Sequence, residues 1–282
     1  MFDSVYFLLV LIGLPLLAVL ALLYMTSPRK SNNLKNFPSK FAHRGLFNNE
    51  DIPENSMAAF KKAIDKGYGI ELDIRLTKDL HLVVFHDDTL ARLCKQIVKV
   101  DSLTLAELKK FTLLDSKHTV PTFAEFLTTV NGQVPILIEF KTELPGLDPS
   151  VICAKAAEML SDYSGEYYIE SFDYNVLKWF KNNQPHVVRG QLAMGTQCYI
   201  PALGKAHAEK IPLRRRKMMS YLLYNFKSRP HFIGYRYQDI HSIVKLNKVL
   251  GAKIACWTVT NKEIGDTLLQ QYDSIIFEQY LA

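Results

Sequence analysis

The sequence has few cysteines, and none of them lie close together. Its four cysteines are spread along 282 residues, at Cys94, Cys153, Cys198 and Cys256. This spacing excludes the closely paired cysteines of a zinc site and gives no sign of a disulfide framework. The cysteine pattern therefore agrees with a reducing compartment.

Positive charge is absent from the start of the chain. Residues Val5 to Met25 form an uncharged apolar run, no Lys or Arg precedes it, and no A-x-A motif ends it. The missing positive region and the missing cleavage motif argue against a cleaved signal peptide. A helix of this length would span a bilayer, where Pro15 is tolerated. We therefore expect residues 1–27 to be an uncleaved transmembrane anchor.

Acidic residues are absent from the segment that follows. Residues 28–39 contain Arg29, Lys30 and Lys35, and Lys40 comes next. Because positively charged flanks stay on the cytoplasmic side, we expect a single-pass cell-membrane protein whose C-terminal domain is cytoplasmic. Residues 28–39 would be a basic linker.

Apolar runs and helix-like segments alternate from residue 40 to residue 282. The composition, 48% hydrophobic and 22% charged, is that of a globular protein. The runs expected as strands are Lys40–His43, Gly69–Arg75, Pro135–Lys141, Tyr167–Ser171, Val187–Ala193, His231–Arg236, Lys253–Val259 and Ser274–Phe277. Most of them precede a helical pattern, which predicts a (β/α)8 TIM barrel. A ninth run, "LHLVVFHD", follows the second strand after only "TKD", so we expect a β-hairpin insertion there.

Acidic side chains in two of these strands indicate a metal site. Glu71 and Asp73 are two residues apart in "IELDI", so both point to one side of the strand, and "ILIEFK" repeats the pattern with Glu139 and Lys141. Barrel sites lie at the C-terminal ends of the strands. Three converging carboxylates would suit a hard divalent ion, Mg²⁺ or Ca²⁺. The alternative is that Glu71 and Glu139 merely pair with Arg75 and Lys141.

Two histidines stand at the ends of predicted strands. His43 ends the first strand, His86 ends the hairpin strand, and each is followed by a polar residue, Arg44 or Asp87. A lone histidine in such a place is usually structural. Two of them beside carboxylates indicate an acid–base pair.

Seven short motifs carry a family resemblance. They are "AHRG", "PENS", "ELDIRLTKD", "VVFHDDTL", "IEFK", "ESFD" and "WTV". In order and approximate spacing they resemble the glycerophosphodiester phosphodiesterase family over nearly all of residues 40–277. The resemblance implies a (β/α)8 barrel with a hairpin insertion that uses a divalent metal to hydrolyse glycerophosphodiesters to glycerol 3-phosphate and an alcohol.

The resemblance also implies roles for individual residues. His43 and His86 would be the general acid and base, and Arg44 would contact the phosphate. The implied metal ligands are Glu71, Asp73 and Glu139.

Further residues would contact the substrate. The resemblance implies that Lys141 helps to neutralise the phosphodiester, that Glu54 lies at the site and that Trp257 packs against the glycerol. Glu54 could instead belong to a helix start in "PENS", and Trp257 could be plain core. The chain departs from the family after its last strand, where "IIFEQ" replaces a "TD"-type motif and leaves the role of Glu278 open.

A basic stretch lies within an expected insertion, residues 196–230. Residues 205–229 hold eight Lys or Arg and one acid, Glu209. We expect this stretch, with the N-terminal helix, to bind anionic lipid rather than nucleic acid, unless it is simply a solvated helical face. Two other functions stay open for the chain, a lysophospholipase D-type phosphodiesterase acting on lysolipids and a non-catalytic, lipid-sensing barrel.

Overall fold

A computed structural model describes residues 2–30, 34, 36–142, 148–200 and 211–282, with side chains of the first helix described from residue 11 onward. The helices are α1 Phe2–Thr26, α2 Met57–Asp65, α3 Ala91–Cys94, α4 Leu105–Leu108, α5 Phe123–Val130, α6 Ser150–Ser161, α7 Tyr174–Asn183, α8 Leu213–Ser220, α9 Asn225–Ser228, α10 Ser242–Val249 and α11 Lys262–Gln271. The strands are β1 Lys40–Ala42, β2 Gly69–Leu76, β3 Leu82–Val84, β4 Ile136–Phe140, β5 Tyr167–Ser171, β6 Arg189–Ala193, β7 Phe232–Arg236, β8 Lys253–Val259 and β9 Ser274–Phe277.

Eight parallel strands form the predicted barrel. They follow the order β1-β9-β8-β7-β6-β5-β4-β2, and β1 pairs in parallel with both β9 and β2, which closes the ring. The strand interiors are buried, because helices cover the outside and side chains fill the inside, and continuous apolar runs are typical of such strands. The predicted TIM barrel is confirmed.

The insertion after the second strand is larger than a hairpin. β3 pairs antiparallel with β2, with Ile74 opposite Val84, as predicted. The chain then adds the short helices α3 and α4, and a separate apolar cluster packs beneath them. Its fully buried members include Val83, Phe85, Leu90 and Leu108. This small core supports the loop that carries His86 to the rim of the barrel.

Aromatic rings close the N-terminal end of the barrel. Phe37 precedes β1, and its ring lies 5.0 Å from the rings of both Tyr168 and Phe232. Phe41, Tyr168 and Phe232 are almost completely buried in this cluster. Because the N-terminal end is filled with apolar side chains, the polar pocket lies at the opposite end, as in other TIM barrels.

The first helix ends against the outside of the barrel. Asn225 donates a hydrogen bond to the Thr26 carbonyl at 2.8 Å, and Arg229 donates to the carbonyls of Tyr24 and Ser27 at 3.0 and 3.1 Å. These bonds satisfy carbonyls that a helix end leaves without partners. Within the described residues, however, no helix has the length and apolarity needed to cross a membrane. The predicted transmembrane anchor, residues 1–27, is therefore not supported.

The structure bears on only some of the other predicted boundaries. α2 begins at Met57 and is capped by the Ser56 hydroxyl, which accepts a hydrogen bond from the Ala59 amide, so Glu54 lies before the helix. Within the predicted basic insertion, residues 201–210 lie outside the described residues. The division of the chain at residues 27 and 39 stays a prediction.

Candidate active site

Three buried carboxylates converge where the sequence predicted a metal site. Asp73 of β2 and Glu139 of β4 are direct neighbours in the strand register, and Glu71 lies one inward position before Asp73. A carboxylate oxygen from each lies within 4.8 Å of the others. Their exposed fractions are 2% for Glu71, 0% for Asp73 and 8% for Glu139. The structure therefore brings the predicted ligands together.

The electrostatic surroundings of these carboxylates are compatible with a bound cation. Burial, and then the Asp73 carboxylate, raise the pKa of Glu71 well above its ordinary value. Burial also raises the pKa of Glu139, although Lys141 opposes the shift. The pKa of Asp73 lies well below its ordinary value because positive charge, first that of Lys141, outweighs its burial. Carboxylates crowded in this way favour a bound divalent ion, and an oxygen-only donor set suits Mg²⁺ or Ca²⁺.

Of the two pairs in the alternative interpretation, the structure contains the one between Lys141 and Glu139, and it does not contain the one between Arg75 and Glu71. Lys141 Nζ lies 3.0 Å from Asp73 Oδ1 and 2.7 Å from Glu139 Oε1, so it bridges two of the three carboxylates. Arg75 turns away from Glu71 and donates two hydrogen bonds, of 2.9 and 2.8 Å, to the carbonyl of His86. Among the described residues, Glu71 thus pairs with no arginine or lysine side chain, and it accepts a hydrogen bond only from the Arg44 amide, at 2.9 Å.

Each predicted histidine contacts a carboxylate. His43 Nδ1 lies 2.6 Å from Glu278 Oε2, and its other ring nitrogen lies 4.0 Å from Glu71. His86 Nδ1 lies 2.7 Å from Asp87 Oδ1. In both rings the carboxylate fixes the orientation and leaves Nε2 available for proton transfer.

The pKa values of both rings are lowered. Burial, followed by Lys141 and Arg44, lowers the pKa of His86 to about 3. Burial and the Arg44 charge also lower the pKa of His43, while Glu278 raises it in part. A neutral imidazole can accept a proton at neutral pH, as a general base must.

An ion-pair network positions Arg44 and Glu54. Arg44 Nη1 lies 2.5 Å from Glu54 Oε1, and Arg44 Nε lies 3.4 Å from Asp73 Oδ2. Arg92 from α3 reaches Glu54 at 2.6 Å and Asp87 at 2.8 Å. Glu54 therefore lies beside the site, where it holds two arginines rather than facing the open pocket. These contacts and hydrogen bonds lower the pKa of Glu54 to about 2 in spite of its burial.

Seven of the nine predicted site residues line one pocket of about 450 Å³, and Glu54 and Asp73 lie behind them. His43, Arg44, Glu71, His86, Glu139, Lys141 and Trp257 line it. Sequence reasoning missed other residues that line the same pocket, which include Glu170, Phe172, Met194, Tyr199 and Met219. One available signal was the spacing of Glu170 and Phe172 in "ESFD", two residues apart at the end of a strand like Glu71 and Asp73.

The sequence profile of the Glycerophosphoryl diester phosphodiesterase family matches residues 43–278. The chain belongs to this family. A glycerophosphodiester phosphodiesterase of Caldanaerobacter subterraneus subsp. tengcongensis is 33% identical over 242 residues, which is 81% of this chain and 88% of that protein. Another, of Bacillus altitudinis, is 34% identical over 168 residues, 55% of this chain and 66% of that protein. The chain is thus an enzyme, a glycerophosphodiester phosphodiesterase, which confirms the predicted class of phosphoric diester hydrolase.

Solved structures of other phosphodiesterases share the fold. A phosphodiesterase of Oleispira antarctica in complex with the product sn-glycerol-3-phosphate aligns with a TM-score of 0.69 and 22% identity, over 88% of this chain and 95% of that one. A glycerophosphodiester phosphodiesterase of Thermotoga maritima aligns with a TM-score of 0.62 and 24% identity, over 86% of this chain and 95% of that one. At these identities the likeness concerns the barrel fold.

Proposed function

We propose that this phosphodiesterase hydrolyses glycerophosphodiesters to glycerol 3-phosphate and an alcohol, with a divalent ion held by Glu71, Asp73 and Glu139. His43 and His86 would carry the protons. The observation that best supports this function is the pocket itself, in which two carboxylate-oriented histidines face three clustered carboxylates.

The proposed reaction breaks the phosphorus–oxygen bond to the alcohol and forms one to an attacking hydroxyl. That hydroxyl comes from water directly, or first from the glycerol moiety of the substrate, in which case water opens the cyclic product. One histidine accepts the proton of the attacking hydroxyl, and the other donates a proton to the departing alkoxide. Arg44 and Lys141 would attract the phosphate anion. When bound, the divalent ion would stabilise negative charge that develops on the phosphoryl oxygens.

The test is turnover by the purified full-length protein. Release of glycerol 3-phosphate would be followed for a panel of glycerophosphodiesters and lysolipids, in Mg²⁺, in Ca²⁺ and in excess chelator. We expect product in at least one metal and none in chelator. Unchanged rates in chelator would overturn the metal role. A protein that turns over no glycerophosphodiester under any of these conditions would overturn the function.

We also propose that the enzyme works at the cytoplasmic surface of the cell membrane. Large apolar side chains of α1 are more than half exposed, for example Leu11 at 58%, Leu14 at 62% and Leu17 at 63%. Exposed apolar surface of this kind favours contact with lipid. In cell fractionation we expect the protein in the membrane pellet even after a high-salt wash. Recovery in the supernatant would contradict this proposal while leaving the proposed chemistry intact.

A further inference from the structure

The insertion after β2 presents one arginine to the rim of the pocket. Arg92 belongs to the short helix α3, and its neighbours Leu90 and Leu93 are 0% and 2% exposed in the small core of the insertion. The Arg92 side chain is 45% exposed and lines the pocket together with Asp87. The folding of the insertion on its own core therefore sets where this guanidinium lies.

The Arg92 guanidinium binds two carboxylates at once. Its Nη1 and Nη2 atoms donate hydrogen bonds of 2.6 and 2.7 Å to the two oxygens of Glu54. Its Nε and Nη2 atoms donate hydrogen bonds of 2.8 and 3.1 Å to the two oxygens of Asp87. An exposed ion pair usually contributes little to stability, but a planar guanidinium that bonds both oxygens of a carboxylate fixes its geometry. Arg92 therefore holds Glu54 and Asp87 side by side in spite of their like charges.

Each of these carboxylates holds one of the groups proposed to act on the substrate. Asp87 Oδ1 lies 2.7 Å from His86 Nδ1, and Glu54 Oε1 lies 2.5 Å from Arg44 Nη1. His86 belongs to the insertion, whereas Arg44 follows the first barrel strand. A continuous chain of contacts therefore runs from His86 to Arg44, with Arg92 at its centre.

We propose that Arg92 is a positioning residue, which fixes the proton-transferring His86 relative to the phosphate-binding Arg44. This inference rests on the proposed function. Without the guanidinium, the negative charges of Glu54 and Asp87 would repel each other, and the two side chains that they hold would lose their common support. A displacement of about 1 Å in a catalytic group can cost about 10²-fold in rate, so the loss of Arg92 should be visible in turnover.

The kinetic test measures kcat and KM of the full-length protein for the glycerophosphodiester that wild type turns over fastest. Arg92→Gln should lower kcat about tenfold because His86 is displaced, and it should raise KM because Arg44 is displaced. Arg92→Lys should behave like Arg92→Gln, since an ammonium group keeps the charge but cannot bond two carboxylates through a planar fork. A kcat for Arg92→Gln within about twofold of wild type would overturn the proposal.

The matched control is Lys95→Gln. Lys95 immediately follows α3 and forms an exposed ion pair with Asp115, so the control removes one positive charge from the same insertion. We expect kcat and KM of this variant to stay at the wild-type values, because exposed pairs contribute little. Equal changes in Arg92→Gln and Lys95→Gln would overturn the proposal.

Chemical rescue separates positioning from folding. Arg92→Ala should regain part of its turnover when guanidinium chloride is added at a concentration that does not unfold the protein, since the free cation can bind between the two carboxylates. Sodium chloride at equal concentration should restore nothing, and guanidinium should not speed Lys95→Ala. A purely structural Arg92 would lower the free energy of unfolding without any rescue, and that result would overturn the proposal.

Nuclear magnetic resonance tests the position of the His86 ring without turnover. In protein labelled at histidine, the His86 ring signals are assigned by comparison with His86→Ala. We expect Arg92→Gln to shift these signals and Lys95→Gln to leave them in place. Unmoved His86 signals would overturn the proposal even if Arg92→Gln loses activity. If wild type turns over no glycerophosphodiester, the proposed function fails, while the His86 signals still report whether Arg92 positions the ring.

Discussion

His43 Nδ1 lies 2.6 Å from Glu278 Oε2, across 235 residues of sequence. The bond joins the end of β1 to the residue that follows β9, where the two strands pair and close the barrel. Glu278 therefore holds the imidazole with its Nε2 atom toward the carboxylates. This contact explains what Glu278 does at the place where the sequence departs from the family pattern.

Glu278→Gln should impair the enzyme without unfolding it. Burial and the Arg44 charge lower the pKa of His43, and the bond to Glu278 opposes that shift. Loss of the negative charge should lower the His43 pKa further, so the limb of the pH–rate profile that reports His43 should move to lower pH. We expect kcat to fall about tenfold, less than for loss of the imidazole itself. A purely structural role would leave the pH profile in place and change only the free energy of unfolding.

Glu71→Gln and Glu139→Gln should each abolish divalent-ion binding and metal-dependent hydrolysis. A neutral amide removes one of three carboxylate ligands, while the buried side chain keeps its shape, so the fold should stay near wild type. Calorimetric titration with Mg²⁺ or Ca²⁺ measures binding without turnover. The control is Glu158→Gln, and wild-type affinity in either site variant would contradict the ligand assignment.

His43→Ala and His86→Ala should each lower turnover by about 10²-fold or more. The fold loss of turnover in the double variant should be far smaller than the product of the two single losses. A substrate with a p-nitrophenol leaving group needs no proton from an acid. Rescue of one variant by this substrate therefore identifies the general acid. His81→Ala is the matched control, because that side chain is 56% exposed and outside the pocket lining. Near-normal rates in both site variants would show the pair to be structural.

The parallel strands and the carboxylate triad could be predicted because their signals are local. An apolar run marks a strand buried on both faces, and a spacing of two places Glu71 and Asp73 on one side of it. The contacts of Arg92 and Glu278 could not be predicted, since each depends on segments far apart in sequence. Arg92 reaches Glu54 only because the insertion folds on its own small core. That insertion could not be predicted from periodicity, because its helices α3 and α4 are too short to give a periodic pattern. Glu170 sits in an ordinary strand, and only its register position beside Glu139 shows that it lines the pocket.

Glu54 should make stability depend on pH in acid. Its pKa is about 2 in the folded protein against an ordinary value of 4.5, so its contribution is present above pH 4.5 and is lost as the pH falls toward 2. The shift corresponds to about 3 kcal/mol in the free energy of unfolding. Urea unfolding should show that the free energy of unfolding falls less between pH 7 and pH 3 for Glu54→Gln than for wild type. Equal losses would mean that the arginine pairs do not stabilise the fold.

The basic helix α8 offers the sharpest test of lipid binding. Arg214 and Lys217 are exposed on it, next to Leu213 and Tyr221, which are 51% and 47% exposed, so charge and apolar surface face solvent together. Such a face suits an anionic membrane surface, where each basic residue contributes about 1 kcal/mol.

Replacing Arg214 and Lys217 with Gln should therefore weaken binding to vesicles containing anionic lipid by about 2 kcal/mol, or roughly thirtyfold, at low salt. Added salt should reduce the difference, because screening weakens exposed charges. The charge-matched control replaces Lys61 and Lys66, which are exposed at α2 and its C-terminal end. Vesicle sedimentation measures the binding of both double variants. If the two double variants bind the vesicles equally well, a general loss of positive charge would account for the whole loss of binding. In that case α8 is only a solvated helix on the outside of the barrel.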